Sequence, residues 1–235
     1  MLQQTPVGRV LPAFASFLRR FPTAGALARA SLGDVLIAWG TLGYPRRARD
    51  LHRSAQIARG RIPTAVGALD ALPGVGAYTA GAVACFSTGA AVAFADTNVR
   101  RVLGRVMLGR TATEREATEI DSAVMPARDA ARWHHALMDL GATVCTSRPH
   151  CDVCPVFGAC ASKGVDTAPA PRRQAAFATS DRRVRGAIMR EIRSSPRSIA
   201  WLSRTIGDRR VPRLAETLIQ DALIVSDGPV LRLPT

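Results

Sequence analysis

The sequence predicts a mostly α-helical fold that ends in a small β-hairpin. Apolar residues recur at helical spacing in almost every segment up to residue 223, and the alternation typical of strands is absent before the end of the chain. The last segment, ALIVSDGPVLRLP, has two strand-like runs around an Asp-Gly turn. A chain of 235 residues can bury a sizeable core.

The predicted helices follow one another closely. In residues 7–18 the apolar side chains fall on one helical face, and Ser31 followed by Asp34 indicates a capping box at the start of a second helix. Further helices are predicted over residues 45–58, 63–72, 77–88, 98–108, 131–140, 181–194, 198–206 and 210–223.

One segment interrupts this helical pattern. Residues 162–179, SKGVDTAPAPRRQAAFAT, are rich in Ala, Pro and charge, which is typical of a linker. Beyond it, three helices and a hairpin resemble a winged helix-turn-helix. We therefore expect a small winged-helix-like unit over residues 180–235, although many small α+β units share this order of elements.

The charge of the chain indicates a polyanionic partner. The formal net charge is +14, and Lys163 is the only lysine among 32 Lys and Arg residues. Such an excess favours nucleic acid, which basic proteins bind by releasing counterions. The alternative is a basic protein from an arginine-rich proteome. No apolar run is long enough to span a membrane and no signal peptide is recognisable, so we expect a cytoplasmic, nucleoid-associated protein with no membrane partner.

A glycine-rich turn lies between two predicted helices, in the string LPGVGAYTAG over residues 72–81. Gly74 and Gly76 allow a tight turn and a close approach of the backbone to another surface. The helix that follows presents free N–H groups at its start, where phosphate binds well. A plain turn between helices explains Gly-x-Gly equally well when it is taken alone.

A carboxylate stands at the start of another predicted helix, in the string VAFADTNVRRVLGR. Asp96 at this position would cap the helix, and the helix dipole would stabilise its negative charge. A carboxylate so held also suits glycosidic cleavage, because a positive oxocarbenium-like sugar develops in the transition state. Arg100 and Arg101 on the next turn could meet phosphate.

Four of the five cysteines crowd into 16 residues. Cys145, Cys151, Cys154 and Cys160 have the spacing C-x5-C-x2-C-x5-C, which predicts a metal centre. Structural zinc usually uses two C-x2-C knuckles, and one compact run favours a [4Fe–4S] cluster. Zinc stays the alternative. Cys85 lies in an apolar segment and is expected to be buried.

Six ordered strings together resemble the MutY-type adenine glycosylases of the helix-hairpin-helix, iron–sulfur superfamily: MLQQTPV, LGYPRRARDLH, LPGVGAYTAGAV, DTNVRRVLGR, MDLGATVC and the cysteine run. The likeness spans residues 1–160. It implies a helical barrel domain over 1–91 and an iron–sulfur domain over 92–161. The first gap of the cysteine run is one residue shorter than the family's.

The resemblance also implies roles for individual residues. Asp96 matches the essential aspartate of the superfamily, and Tyr78 lies close to the sugar, where strand-cutting members carry a lysine nucleophile. A lysine-dependent lyase is therefore not expected. Gln4 and Thr5 approach the base opposite adenine, and Tyr44 wedges into the base stack. The alternative for Tyr44 is that it belongs to a surface turn beside Pro45.

The remaining implied contacts are to the DNA backbone. The hairpin with Gly74 and Gly76 grips a phosphate, and Asn98 and Arg100 are expected to contact DNA as well. The expected partner is double-stranded DNA that contains a mismatch or an oxidised guanine, bound by a monomer.

The resemblance implies hydrolysis of the N-glycosidic bond of adenine opposite 8-oxoguanine or guanine. The alternatives are a thymine or uracil mismatch glycosylase of the same superfamily, or a non-catalytic protein that binds mismatched DNA. The family's general acid is a glutamate two residues before the position of Met1, where this sequence starts. We therefore expect little excision from the form of 235 residues.

Overall fold

The computed structural model describes residues 1–2, 5–165 and 176–235. Gln4 and most of the predicted linker lie outside the described residues. The helices are Val7–Arg20 (α1), Ala24–Arg29 (α2), Leu32–Trp39 (α3), Arg46–Ile57 (α4), Val66–Asp70 (α5), Ala77–Thr88 (α6), Thr97–Leu108 (α7), Glu114–Val124 (α8), Ala130–Thr143 (α9), Asp181–Ser194 (α10), Ile199–Ile206 (α11) and Val211–Gln220 (α12). The strands are Arg197–Ser198 (β1), Val225–Asp227 (β2) and Val230–Arg232 (β3).

The chain forms two compact units. One contains Met1–Ile62 and Arg173–Thr235, and the other contains Pro63–Arg172. The C-terminal helices thus pack with the N-terminal ones, whereas the sequence suggested a separate unit over 180–235. The domain bounds expected from the resemblance remain predictions. The two units are defined by which segments pack together, and this is a different criterion from the domain bounds of a family.

In the first unit, α1 and α3 share a core with the C-terminal helices. Phe17 lies edge-on to Trp39, with ring centroids 6.1 Å apart. Gly33 in α3 donates from its backbone N–H to the carbonyl oxygen of Pro234 at 2.8 Å. A Cβ at Gly33 would lie 2.6 Å from that oxygen, so glycine is required for this close approach.

The C-terminal segment has the order of elements of a winged helix. It runs α10, β1, α11, α12, β2, β3, and its antiparallel sheet has the order β1-β3-β2. Gly228 turns between β2 and β3 with φ +58°. The predicted hairpin is confirmed, and β1 was not predicted because two residues carry no readable alternation.

In the second unit, α7 packs between α8 and α9. Gly104 in α7 lies so close to Ala112 that an added Cβ would be 2.3 Å from its backbone nitrogen. Gly141 in α9 similarly faces Asn98, where a Cβ would lie 2.6 Å from the Asn98 Cβ. The approach of Gly141 holds the start of α7 against α9, and that of Gly104 lies in the second half of α7.

Most of the predicted helices are confirmed, and the mostly α-helical fold with them. The sequence reading missed α2 and α8, whose starts are capped by Thr23 and Thr113. It also made the helix over residues 63–72 too long, because only Val66–Asp70 is helical. In the described part of the chain, no helix has the length and apolar character to cross a membrane.

Candidate active site

The glycine-rich turn over residues 72–81 is a hairpin between α5 and α6. Gly74 has φ +73°, the left-handed region that favours glycine. Gly76 lies at the start of α6, and among the described residues no side chain caps this helix. A Cβ at Gly76 would meet nothing within 4 Å. The exposed N–H groups at the start of α6 can therefore donate hydrogen bonds to an external anion.

Asp96 caps α7 as expected. Its Oδ1 accepts hydrogen bonds from the backbone N–H groups of Asn98 at 2.8 Å and Val99 at 2.7 Å. Its Oδ2 accepts from Asn98 Nδ2 at 3.1 Å. The segment before it is buried at Phe94 and Ala95, whereas Asp96 is half-buried. The carboxylate is thus fixed in direction and still accessible.

Tyr78 lies on the first turn of α6 and close enough to Asp96 to be influenced by its charge. Burial raises the pKa of the Tyr78 phenol above its ordinary value of 10.0, and the negative charge of Asp96 raises that pKa further. The phenol is therefore protonated at neutral pH and can donate a hydrogen bond. Tyr78 also lies edge-on to Phe94, two residues before Asp96, with ring centroids 5.6 Å apart, so both predicted site residues lie in one region of the second unit.

Tyr44 lies in the first unit, in the loop before α4. Its φ is +48°, which is uncommon for a residue with a side chain. The guanidinium of Arg47 lies 5.1 Å from the ring centroid, and Arg182 Nη1 donates to the Tyr44 hydroxyl at 3.3 Å. The ring is half-buried.

Thr5 lies beneath the same loop and is buried. Its hydroxyl donates to the carbonyl oxygen of Leu42 at 3.2 Å and accepts from Arg47 Nη2 at 3.0 Å. These bonds brace the loop that carries Tyr44. A direct contact of Thr5 with DNA remains a prediction, and so does that of Gln4, which lies outside the described residues.

The two arginines after Asp96 have intramolecular partners. Arg100 Nε donates to the carbonyl oxygen of Ala112 at 3.0 Å. Arg101 bonds to Asn98 Oδ1 and to the carbonyl oxygens of Gly141 and Cys145. Both side chains tie α7 to its neighbours, and the contact of Arg100 with phosphate remains a prediction.

The four clustered cysteines line a single pocket beside α7. Burial raises the pKa of the Cys151 thiol, and the nearby Cys154, Cys145 and Cys160 raise it further. Within the described residues, no three His, Cys, Asp or Glu side chains form a group that could hold a single metal ion. The four thiols that line this pocket are the type of ligand that an iron–sulfur cluster uses.

Comparisons with known proteins identify the family of this chain. The HhH-GPD superfamily base excision DNA repair protein model matches residues 1–126. Similar proteins include the adenine DNA glycosylase of Mycobacterium tuberculosis, 43% identical over 95% of this chain and 79% of that protein. The one from Mycolicibacterium smegmatis is 41% identical over 97% and 83%, and the human one 39% over 69% and 32%.

The chain belongs to this superfamily. Its predicted resemblance to adenine glycosylases is confirmed, as is the predicted class of enzyme, a DNA N-glycosylase. Solved structures of the same fold include a thermostable thymine-DNA glycosylase, 24% identical with a TM-score of 0.62 over 69% of this chain and 79% of that one. An endonuclease III–DNA complex is 23% identical, with a TM-score of 0.61 over 68% and 78%.

Sequence reasoning missed two features of this HhH-GPD protein. Arg105 is 4% exposed, and its Nη1 donates to Cys145 Sγ at 3.5 Å and to the Thr146 carbonyl oxygen at 2.7 Å. The sequence did offer one signal for a buried Arg105, namely an arginine on the apolar face of α7. Asp121 and His134 form a buried pair whose contact across 13 residues no local pattern shows.

Proposed function

We propose that this protein hydrolyses the N-glycosidic bond of adenine mispaired with 8-oxoguanine or guanine, without a lysine-dependent strand cut. The observation that carries the proposal is the pairing of Asp96 with Tyr78. One is a carboxylate held at a helix N-terminus, and the other is a phenol that occupies the place of a lysine nucleophile. The similarity to adenine DNA glycosylases over 95% of the chain supports adenine as the base.

The chemistry follows from these two side chains. As the bond between C1′ and adenine N9 breaks, the sugar acquires positive charge, and the fixed Asp96 carboxylate stabilises it. The neutral Tyr78 phenol donates a hydrogen bond beside the sugar. Water then supplies hydroxide to C1′ and a proton to the departing adenine, so that free adenine and an abasic site result.

DNA binding precedes this step. The N–H groups at the start of α6 bind a backbone phosphate next to Gly76. Tyr44 enters the base stack and stabilises the duplex from which adenine has turned out. The net charge of +14 contributes a salt-dependent attraction for any DNA.

The pocket lined by Cys145, Cys151, Cys154 and Cys160 holds a [4Fe–4S] cluster in this proposal. The cluster's contribution is structural, because it fixes the loop over residues 145–160 against α7. Arg105 donates toward Cys145 Sγ and so offsets the negative charge that the thiolates bring.

The test is excision by the full gene product from duplexes with A·8-oxoguanine, A·G, T·G and A·T pairs. We expect adenine release from the first two, and strand breaks only after alkali. Asp96→Asn should reduce the single-turnover rate by at least ~10²-fold and leave DNA affinity within about twofold. Asp34→Asn, which alters a carboxylate in the first turn of α3, is the matched control.

The other outcomes distinguish the alternatives. Release of thymine from T·G and no release of adenine would establish the thymine mismatch glycosylase instead. Preferential binding of mismatched DNA without release of any base would establish a non-catalytic binding protein. Strand breaks before alkali treatment would contradict the monofunctional mechanism.

A further inference from the structure

A buried polar pair lies behind the segment that carries Asp96. Asp121 in α8 and His134 in α9 are both 0% exposed, and His134 Nε2 lies 2.8 Å from Asp121 Oδ2. The other ring nitrogen, Nδ1, lies 2.8 Å from the carbonyl oxygen of Ala130. Buried in the core, these groups cannot touch DNA, so any effect on the reaction must pass through their neighbours.

Asp121 connects three segments of the second unit. Besides His134, its carboxylate accepts from the backbone N–H of Phe94 at 3.2 Å and from Trp133 Nε1 at 2.7 Å. A buried carboxylate is costly unless several donors satisfy it. The bond to Phe94 fixes the backbone two residues before Asp96.

Phe94 carries the same restraint to Tyr78. Its ring stacks on His134 with centroids 3.9 Å apart and planes at 16°. Tyr78 lies edge-on to Phe94 with centroids 5.6 Å apart. From the α6 side, a Cβ at Gly81 would lie 2.8 Å from the Phe94 Cβ, so Phe94 fits closely between α6 and α9.

We propose that Asp121 and His134 are positioning residues that set the separation of Asp96 and Tyr78 by holding Phe94. This inference rests on the proposed function for the role of Asp96 and Tyr78 in excision. Apolar contacts alone would let the extended segment before Asp96 slide, whereas the hydrogen bond from the Phe94 backbone N–H to Asp121 fixes its direction as well as its depth.

The first experiment measures single-turnover excision of adenine by Asp121→Asn and His134→Asn variants of the full gene product. We expect the rate to fall about 10- to 100-fold, the loss typical of a small misplacement of reacting groups. The dissociation constant for DNA should stay within about twofold. His52→Asn is the matched control, because His52 is 5% exposed and bonds to the Ala30 carbonyl oxygen in the first unit.

The second experiment reads the position of Tyr78 without activity. The chain has two tyrosines, so in a Tyr44→Phe background Tyr78 is the only one. Replacing tyrosine by 3-fluorotyrosine lowers the pKa of the phenol, so that it titrates at a pH where the protein stays folded. Asp96→Asn should lower the pKa of Tyr78 by removing a neighbouring negative charge. Asp121→Asn should lower that pKa too, since the displaced segment moves Asp96 away and exposes the ring.

The proposal is overturned if Asp96→Asn shifts the pKa of Tyr78 and Asp121→Asn leaves that pKa unchanged. An equal loss of rate in His52→Asn also overturns it, because a general loss of stability would then explain the effect. If Asp121→Asn does not fold, Trp133→Phe removes one donor to Asp121 and should shift Tyr78 less in the same direction. Absence of adenine excision by the full gene product without any substitution contradicts the proposed function, and the titration of Tyr78 still tests the positioning role.

Discussion

Arg182 Nη1 lies 3.3 Å from the hydroxyl oxygen of Tyr44, although 138 positions separate the two residues in sequence. Tyr44 also faces the guanidinium of Arg47, at 5.1 Å from its ring centroid. Arg182 belongs to α10, the first helix of the winged-helix-like segment. The C-terminal segment thus contacts Tyr44, for which the family resemblance implies the role of DNA wedge.

Arg182→Ala should weaken base flipping, because the Tyr44 ring loses a hydrogen bond that restricts it. We expect single-turnover excision to fall about three- to tenfold, in line with the net contribution of one hydrogen bond. Tyr44→Phe should give a similar loss, and the double variant should lose no more than either single one. Fluorescence of 2-aminopurine beside the mismatch measures flipping directly.

Arg190→Ala is the control for that experiment, since Arg190 lies on the same helix, is 66% exposed and pairs with Glu191. Additive losses in the double variant would show that Arg182 acts independently of Tyr44. A loss in Arg190→Ala equal to that in Arg182→Ala would indicate a general effect of positive charge.

Gly76→Ala should separate DNA binding from folding. A Cβ at this position meets nothing within 4 Å, and its φ of −109° suits any residue. Stability should therefore change by less than about 0.5 kcal/mol. Bound phosphate must approach the N–H groups at the start of α6, and a methyl group there should weaken DNA binding about tenfold or more. Fluorescence anisotropy and thermal unfolding measure the two effects.

Gly67→Ala in α5 provides the matched control, because a Cβ there also meets nothing within 4 Å. It should leave both stability and DNA affinity nearly unchanged. Equal affinity of Gly76→Ala and the unaltered protein would contradict phosphate binding by the hairpin.

Much of this fold and site was predictable because the deciding signals are local. The Asp96 cap and the Gly74 turn depend on residues within a few positions, so both can be predicted directly from the sequence. Even α8 has a readable start in Thr113 and Glu116, a capping box that the sequence reading overlooked.

The remaining features depend on contacts between distant residues, which one sequence does not reveal. The bond of Asp121 to His134 and that of Arg182 to Tyr44 arise only when separate helices pack together. Thr5 illustrates the same limit, because no local pattern shows that it is buried and bonded to Leu42 and Arg47.

The cysteine pocket predicts about four irons per chain in protein purified without oxygen, with the brown colour of an iron–sulfur cluster. Cys154→Ser should remove most of the iron and reduce the melting temperature, since the loop loses its anchor. Cys85→Ala, which alters the buried cysteine outside the pocket, should retain the iron. Elemental analysis decides, and one zinc per chain without iron would contradict the cluster.

The capping box of α8 predicts a pH-dependent contribution to stability. Bonds from Arg110 and Thr113 hold the pKa of Glu116 at about 2, below its ordinary value of 4.5. A lowered carboxylate pKa stabilises the fold above the ordinary value, and that stabilisation is lost as the pH falls from about 4.5 toward 2. Glu116→Gln should thus be destabilising at pH 7, and the difference should shrink between pH 5 and pH 2.

Urea unfolding of both proteins at several pH values measures this difference. Glu119→Gln is the control, since it removes a carboxylate that is 62% exposed on the same helix. A difference between Glu116→Gln and the unaltered protein that stays constant down to pH 2 would contradict the assignment.

Gly141→Ala should damage the site through the backbone of α9. A Cβ at this position would lie 2.6 Å from the Asn98 Cβ, closer than packed atoms approach, so α7 or α9 must move. Asn98 supplies two of the three hydrogen bonds to Asp96, and its displacement should reduce excision about tenfold or more. Overpacking should also cost about 1–3 kcal/mol of stability. Gly186→Ala in α10, where a Cβ meets nothing within 4 Å, should instead leave excision unchanged and stabilise the helix slightly. Unfolding in urea and single-turnover kinetics measure the two effects, and unaltered excision by Gly141→Ala would show that the position of Asn98 does not matter for Asp96.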